Sequence, residues 1–153
     1  MSDLLSGVPT TAVRKGRSYM ATTAIHSNAQ VARRAYEAFG SGDMATVRQL
    51  MTDDTVWHIL GKNPLSGDKK GKDAVFSFFG QLMQLSGGTF HLDIHDVLAS
   101  DQHTIVLVTE HAEKDGKKWR SNAVHVIHPD AEGRTKEFWA FQEDQRAADD
   151  FWG

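Results

Sequence analysis

Trp57-His58 is the pair in this chain best placed to do chemistry. The imidazole follows a β-branched and aromatic run and stands just ahead of Leu60 to Lys72, a stretch broken by Gly61, Pro64, Gly67 and Gly71. Long irregular connections inside a compact domain often border functional sites, so His58 is expected at the mouth or wall of a pocket. Imidazole titrates near neutrality and could shuttle a proton or hydrogen-bond a carbonyl there. The alternative is a histidine that anchors the loop to backbone. Asp144 is the second candidate, because a carboxylate in an apolar mouth has a raised pKa and can act as a general base. Against that, Asp144 precedes Gln145-Arg146-Ala147-Ala148, and the preference of aspartate for helix N-caps favours the capping reading.

The 8 histidines come with no cysteine, which excludes disulfides, a thiolate nucleophile and Cys-ligated zinc. His91-x3-His95 has a helical ligand spacing but lies in a strand pattern, where four residues span roughly 13 Å. His125 and His128 point to opposite faces of their strand. No metal site and no cofactor are expected. Lys62, Lys69, Lys70 and Lys72 form a basic loop that lacks the Ser or Thr of a phosphate loop, so it reads as solvated.

The elements that position these groups can be read in order. The chain has 153 residues, enough for one domain, and a net charge of -3, which argues against a nucleic-acid binder. No apolar run approaches the ~20 residues of a membrane span, and a cytoplasmic protein is expected. Residues 1–27 show no periodicity and read as a flexible leader, with Met20 an alternative start; residues 28–153 form the domain. Asn28 caps a helix with Ala32, Ala35, Tyr36 and Phe39 on one face, closed by Gly40 and Gly42. Asp43 caps a shorter helix with Val47, Leu50 and Met51. Thr55 to Ile59 is a strand. A third helix runs to Leu85, with Val75, Phe76, Phe79, Leu82 and Met83 on its apolar face. Strands and turns follow from Thr89 to Phe141, and Glu143 to Trp152 suits a short closing helix. Helices first and an antiparallel meander afterwards give an α+β fold.

Asp115-Gly116 is a two-residue hairpin signal. Pairing Lys114 with Lys117 places Ile105, Leu107, Thr109 and His111 opposite Val126, Val124, Asn122 and Arg120 on one face. Val106, Val108, Glu110 and Ala112 lie opposite His125, Ala123, Ser121 and Trp119 on the other. Both faces carry large apolar side chains, so one should wrap a cavity under the helices and the other should meet a second subunit. On either face the polar groups need partners or await a ligand.

Several motifs in order resemble the SnoaL-like branch of the nuclear-transport-factor-2-like, ketosteroid-isomerase-like superfamily. They are Ala35-Tyr36-Glu37-Ala38-Phe39 before Gly42-Asp43, Asp54 to His58 leading to Gly61, Asn63 to Gly67 with Gly71 to Val75 and Phe78-Phe79, then Gly133, Glu137-Phe138-Trp139, Asp144-Gln145 and Phe151-Trp152. The resemblance implies a cystatin-like α+β cone: a curved antiparallel sheet wrapped around three N-terminal helices, dimerising through its outer face. It also implies a pocket between helices and sheet that Trp57 and His58 line. SnoaL-type aldol cyclases carry an acid directly after the last-strand Trp; here that position is Ala140, so their mechanism does not carry over intact.

The expected function is binding, and acid/base transformation, of a small hydrophobic ketone, polyketide or steroid-like molecule. The alternative is a non-catalytic binding or dimerisation module. The expected catalytic residues are His58 and Asp144, with His111 and His125 as further candidates. Substrate contacts are expected from Trp57, Phe76, Phe79, Met83, Leu107, Thr109, His111, Asn122, Val124 and Trp139. The partners expected are the small molecule and a second copy of the chain, without nucleic acid or membrane.

Overall fold

The computed structural model describes residues 24–153, so most of the expected leader lies outside the described residues. The first helix, α1 (Ser27–Ser41), begins one residue before the predicted cap. Its cap is His26, whose Nδ1 accepts from the Asn28 backbone N–H at 3.0 Å. Asn28 instead sits buried inside the first turn and donates through Nδ2 to the Ser100 carbonyl at 3.1 Å, tying the helix to a distant turn. Gly42 takes the left-handed conformation that ends α1, at φ 79°.

The second helix, α2 (Met44–Gln49), is capped by Asp43 as its sequence predicts. It stops short of Met51, because Met51 opens β1 (Met51–Ile59). The irregular loop of the sequence reading holds a short strand, β2 (Gly67–Lys70), paired antiparallel with β1. Then come α3 (Lys72–Leu85), β3 (His91–Ala99), β4 (Thr104–Lys114), β5 (Lys117–Pro129), β6 (Thr135–Gln142) and α4 (Gln145–Trp152).

One curved sheet results, ordered β2-β1-β6-β5-β4-β3. It is mixed and not wholly antiparallel, since β1 runs parallel to β6. The intervening helix and three-strand meander form a connection long enough for parallel pairing. The β4–β5 hairpin turns at Asp115 (φ 52°) and Gly116 (φ 75°), both left-handed, and pairs Lys114 with Lys117. This is the register read from the sequence.

The concave face is the one bearing Val106, Val108, Ala123, Ile127 and Phe138, all buried against Ala29 and Ala32 of α1. Trp57 of β1 stacks on Phe138 at 4.0 Å and meets Phe79 of α3 edge-on at 5.3 Å. At the other end Ala148 and Trp152 of α4 pack with Leu65, Leu82 and Phe90. Among the described residues no helix is long and apolar enough to cross a membrane.

Candidate functional site

Helices and concave face do not close completely. Between them lies a cavity of about 140 Å³, walled by apolar side chains that include Ala35, Phe39, Trp57, Phe79, Phe90, Ile127 and Phe138. Three ionisable groups break this lining: Tyr36 from α1, Glu110 from β4 and His125 from β5. Each is there for a local reason. Tyr36 lies on the buried stripe of α1, while Glu110 and His125 occupy inward positions of the β4–β5 ladder, opposite Ser121 and Val106 respectively. Small inward residues, Ala123 and Ala140, leave room around them.

Tyr36 Oη and His125 Nδ1 are 2.5 Å apart, and the two rings stack with centroids 5.7 Å apart. Burial pushes the His125 pKa down to about 3, so the imidazole is neutral at physiological pH. Burial, and secondarily the charge of Glu110, drives the Tyr36 phenol above its ordinary range, so it keeps its proton. The phenol therefore donates and Nδ1 accepts, which puts the imidazole proton on Nε2. That atom has no hydrogen-bond partner among the described residues, on a side chain that lines the cavity.

Glu110 is 7% exposed, and burial pushes its carboxyl up to about 7. Gln142 and the Trp119 indole pull the other way by donating toward it, although Trp119 Nε1 does not reach full hydrogen-bond geometry with any group among the described residues. Near neutrality the carboxyl is thus poised between acid and base. Four residues of β4 separate Glu110 from Val106, the partner of His125, or about 13 Å of strand. Both side chains nevertheless line the same cavity, and the Glu110 charge acts on the Tyr36 phenol bonded to His125.

Most of the residues expected at the site lie elsewhere. Trp57 and Phe79 line the cavity. His58 does not: alternation along β1 turns it to the outer face, opposite in direction to Trp57. There Nδ1 meets Asp68 at 2.8 Å, Nε2 meets Glu137 at 2.9 Å, and the ring stacks on Trp139 at 4.8 Å. Glu137 first, and then Asp68, hold its pKa above the ordinary value against the opposing effect of burial. His58 is a clasp between β2 and β6.

Leu107, Thr109, His111, Asn122, Val124 and Trp139 share that outer face. Their register is the one the Asp115-Gly116 turn predicts, but the helices cover the opposite side. Phe76 turns toward Arg48, whose guanidinium lies 5.3 Å above its ring, and Met83 packs at the edge of the core beside the cavity. Asp144 caps α4, accepting from Ala147 N at 3.0 Å. Glu110 and His125 were visible in the sequence as polar residues on an apolar face; Tyr36 was visible as the hydroxyl on the stripe of α1.

A family model described as a SnoaL-like domain matches residues 32–138. The chain belongs to the SnoaL-like domain family. This SnoaL-like protein is 27% identical over 120 residues to the uncharacterized protein Rv0034 of Mycobacterium tuberculosis, a match covering 78% of this chain and 92% of that one. Among solved structures, Bal32a from a soil-derived mobile gene cassette shares 35% identity with a TM-score of 0.79, over 83% of this chain and 97% of that one. IdmH from Streptomyces antibioticus, a candidate polyketide cyclase, shares the fold at 17% identity and TM-score 0.64, over 81% of this chain and 98% of that one. The SnoaL-like position that holds an acid in aldol cyclases, Ala140, lies on the cavity wall opposite His125 in the β5–β6 ladder.

Proposed function

We propose that this protein binds a small, mostly apolar carbonyl or phenolic compound in the cavity and transfers a proton on it. The observation that carries this reading is the set of Tyr36, Glu110 and His125 inside an otherwise apolar hollow. Such a hollow, with a few polar groups to fix orientation, is the usual form of a small-molecule site. In the proposed mode, the His125 Nε2–H donates to the carbonyl oxygen of the guest, with Tyr36 holding the tautomer. Glu110, whose carboxyl is pushed up to about 7, gives or takes the proton from its own part of the same wall. Trp57 Nε1 and Thr104 Oγ1, both on lining residues, are buried without partners among the described residues and add polar capacity for a guest to satisfy.

Size narrows the class. An apolar cavity of about 150 Å³ accepts a guest the size of benzene. The present volume of about 140 Å³ therefore suits one ring, and a polycyclic polyketide or steroid needs the walls to move apart.

The test is solvent-deuterium exchange at carbon next to the carbonyl of small aryl and cyclic ketones, with binding followed by protein NMR. Exchange that His125→Gln and Glu110→Gln each reduce by at least tenfold is expected. Binding without exchange would leave the second reading, a non-catalytic binding module, which methyl-bearing Ala140 on the cavity wall favours. Absence of binding removes both.

We further propose that two copies associate through the outer sheet face and that the protein works in the cytoplasm. Leu98, Val124 and Phe141 on that face are 51%, 37% and 46% exposed, and a second copy laid over them would take that apolar surface out of water.

A further inference from the structure

At one corner of the outer face, away from the cavity, three potential ligands converge. His91 and Asp93 are two residues apart on β3 and so point to the same side. His111 on β4 is the direct cross-strand neighbour of His91 and the diagonal neighbour of Asp93. Ligand atoms of all three lie within 4.8 Å of one another. The two imidazoles are stacked nearly parallel, 4.6 Å between centroids and 5° between planes.

We propose that His91, Asp93 and His111 form a binding site for a divalent transition-metal ion of the zinc, nickel or copper class. Two imidazoles and one carboxylate are the donor set such ions prefer, and three protein ligands leave positions open for water. The hydrogen bonds around them orient the set. His91 Nδ1 lies 3.0 Å from the Thr89 carbonyl, which can only accept, so that nitrogen carries the proton and Nε2 presents its lone pair. His111 Nε2 lies 2.7 Å from Asp93 Oδ2, a contact in which an ion can take the place of the proton.

The parallel rings must tilt so that their in-plane lone pairs converge, the wider separations must close from up to 4.8 Å, and the 2.7 Å His111–Asp93 contact must open. An ion with bonds of about 2.0–2.1 Å in tetrahedral geometry holds its ligands about 3.4 Å apart. Rotation of exposed side chains supplies this, and His91 and Asp93 are both exposed. Two further charges border the corner: Arg120 is paired across from His111, and Glu113 follows two residues along the same face. They oppose each other. The row of Thr109 and Asn122 separates the corner from Leu107 and Val124, so an ion there leaves the apolar strip uncovered.

His95, at the helical ligand spacing from His91 but on a strand, has its Nε2 engaged 2.7 Å from Thr109 Oγ1. The set proposed here depends on cross-strand register and not on spacing along one strand.

Zinc(II) alone, titrated calorimetrically into the full chain at pH 7.5, tests the site. Saturation at one ion per chain is expected, weakened at least tenfold in His91→Gln, in His111→Gln and in Asp93→Asn, and unchanged in His103→Gln. Circular dichroism confirms that each variant is folded. Proton NMR should show the ring signals of His91 and His111 moving with zinc while those of His125 stay fixed. Equal affinity in all variants, or no saturable binding up to millimolar zinc, would overturn the proposal.

Discussion

Tyr36 Oη donates to His125 Nδ1 across the gap between the first helix and the fifth strand, at 2.5 Å, inside the cavity. This one contact joins fold to chemistry, because it crosses the two layers and fixes which nitrogen of His125 keeps a proton. Tyr36→Phe removes the donor and leaves Nδ1 buried without a partner. A loss of about 1–3 kcal/mol is expected from urea denaturation, since that is the usual cost of an unsatisfied buried polar group. The same variant should show both imidazole tautomers of His125 by nitrogen-15 NMR, where the wild type shows one.

The pH dependence of stability should carry two opposite slopes. Glu110 rises from 4.5 to about 7 on folding, so the folded state binds its proton more tightly and stability falls as pH rises between those values. His125 drops from 6.5 to about 3, so the unfolded state binds more protons between those values and stability rises with pH there. Where the windows overlap the two effects oppose. Melting temperature measured from pH 3 to 8 should lose part of its acid-side rise in His125→Asn and part of its fall toward neutrality in Glu110→Gln.

His58 behaves in the opposite sense to His125. Its pKa is raised on folding by Glu137 and Asp68, so its stabilising contribution is complete below the unfolded value of 6.5 and disappears as pH climbs through the folded value. His58→Gln should therefore lower the melting temperature more at pH 5.5 than at pH 9. Guest binding in the cavity should be unaffected, because His58 lies outside it. A variant that abolishes ligand binding while remaining folded would contradict this placement.

Asp144→Ala removes the cap of α4 and should cost about 1 kcal/mol, the ordinary value for an N-cap aspartate. Any proton-transfer activity should survive. Serine at the same position should restore most of the stability, which separates a capping role from a catalytic one.

Ala140→Asp would place a carboxylate across from His125 at the position where aldol cyclases of the family carry their acid. A negative charge there favours the imidazolium. The His125 titration, pushed down to about 3 by burial, should move upward when followed by NMR. An unchanged titration would mean that the new side chain turns out of the cavity.

The sequence by itself determined the local units of this protein. Apolar spacing set the helices, Asp43 and Asp144 set two caps, and Asp115-Gly116 set the hairpin, because each signal depends only on neighbours along the chain. Even the β4–β5 register followed, since a two-residue turn leaves one pairing. Which face of that ladder became the interior was not legible. Both sets of alternating residues are apolar with a few polar members, and alternation says that they differ without saying which one a helix covers. Tertiary packing decided it: α1 lies over Val106, Val108 and Ala123, which put His125 and Glu110 inside and left His111, Asn122 and Thr109 outside. The same decision turned His58 outward, where acids from two other strands hold it. The His91, Asp93 and His111 corner exists only through strand pairing. Contacts between residues distant in sequence are fixed by the burial of whole surfaces, and no local pattern contains that information.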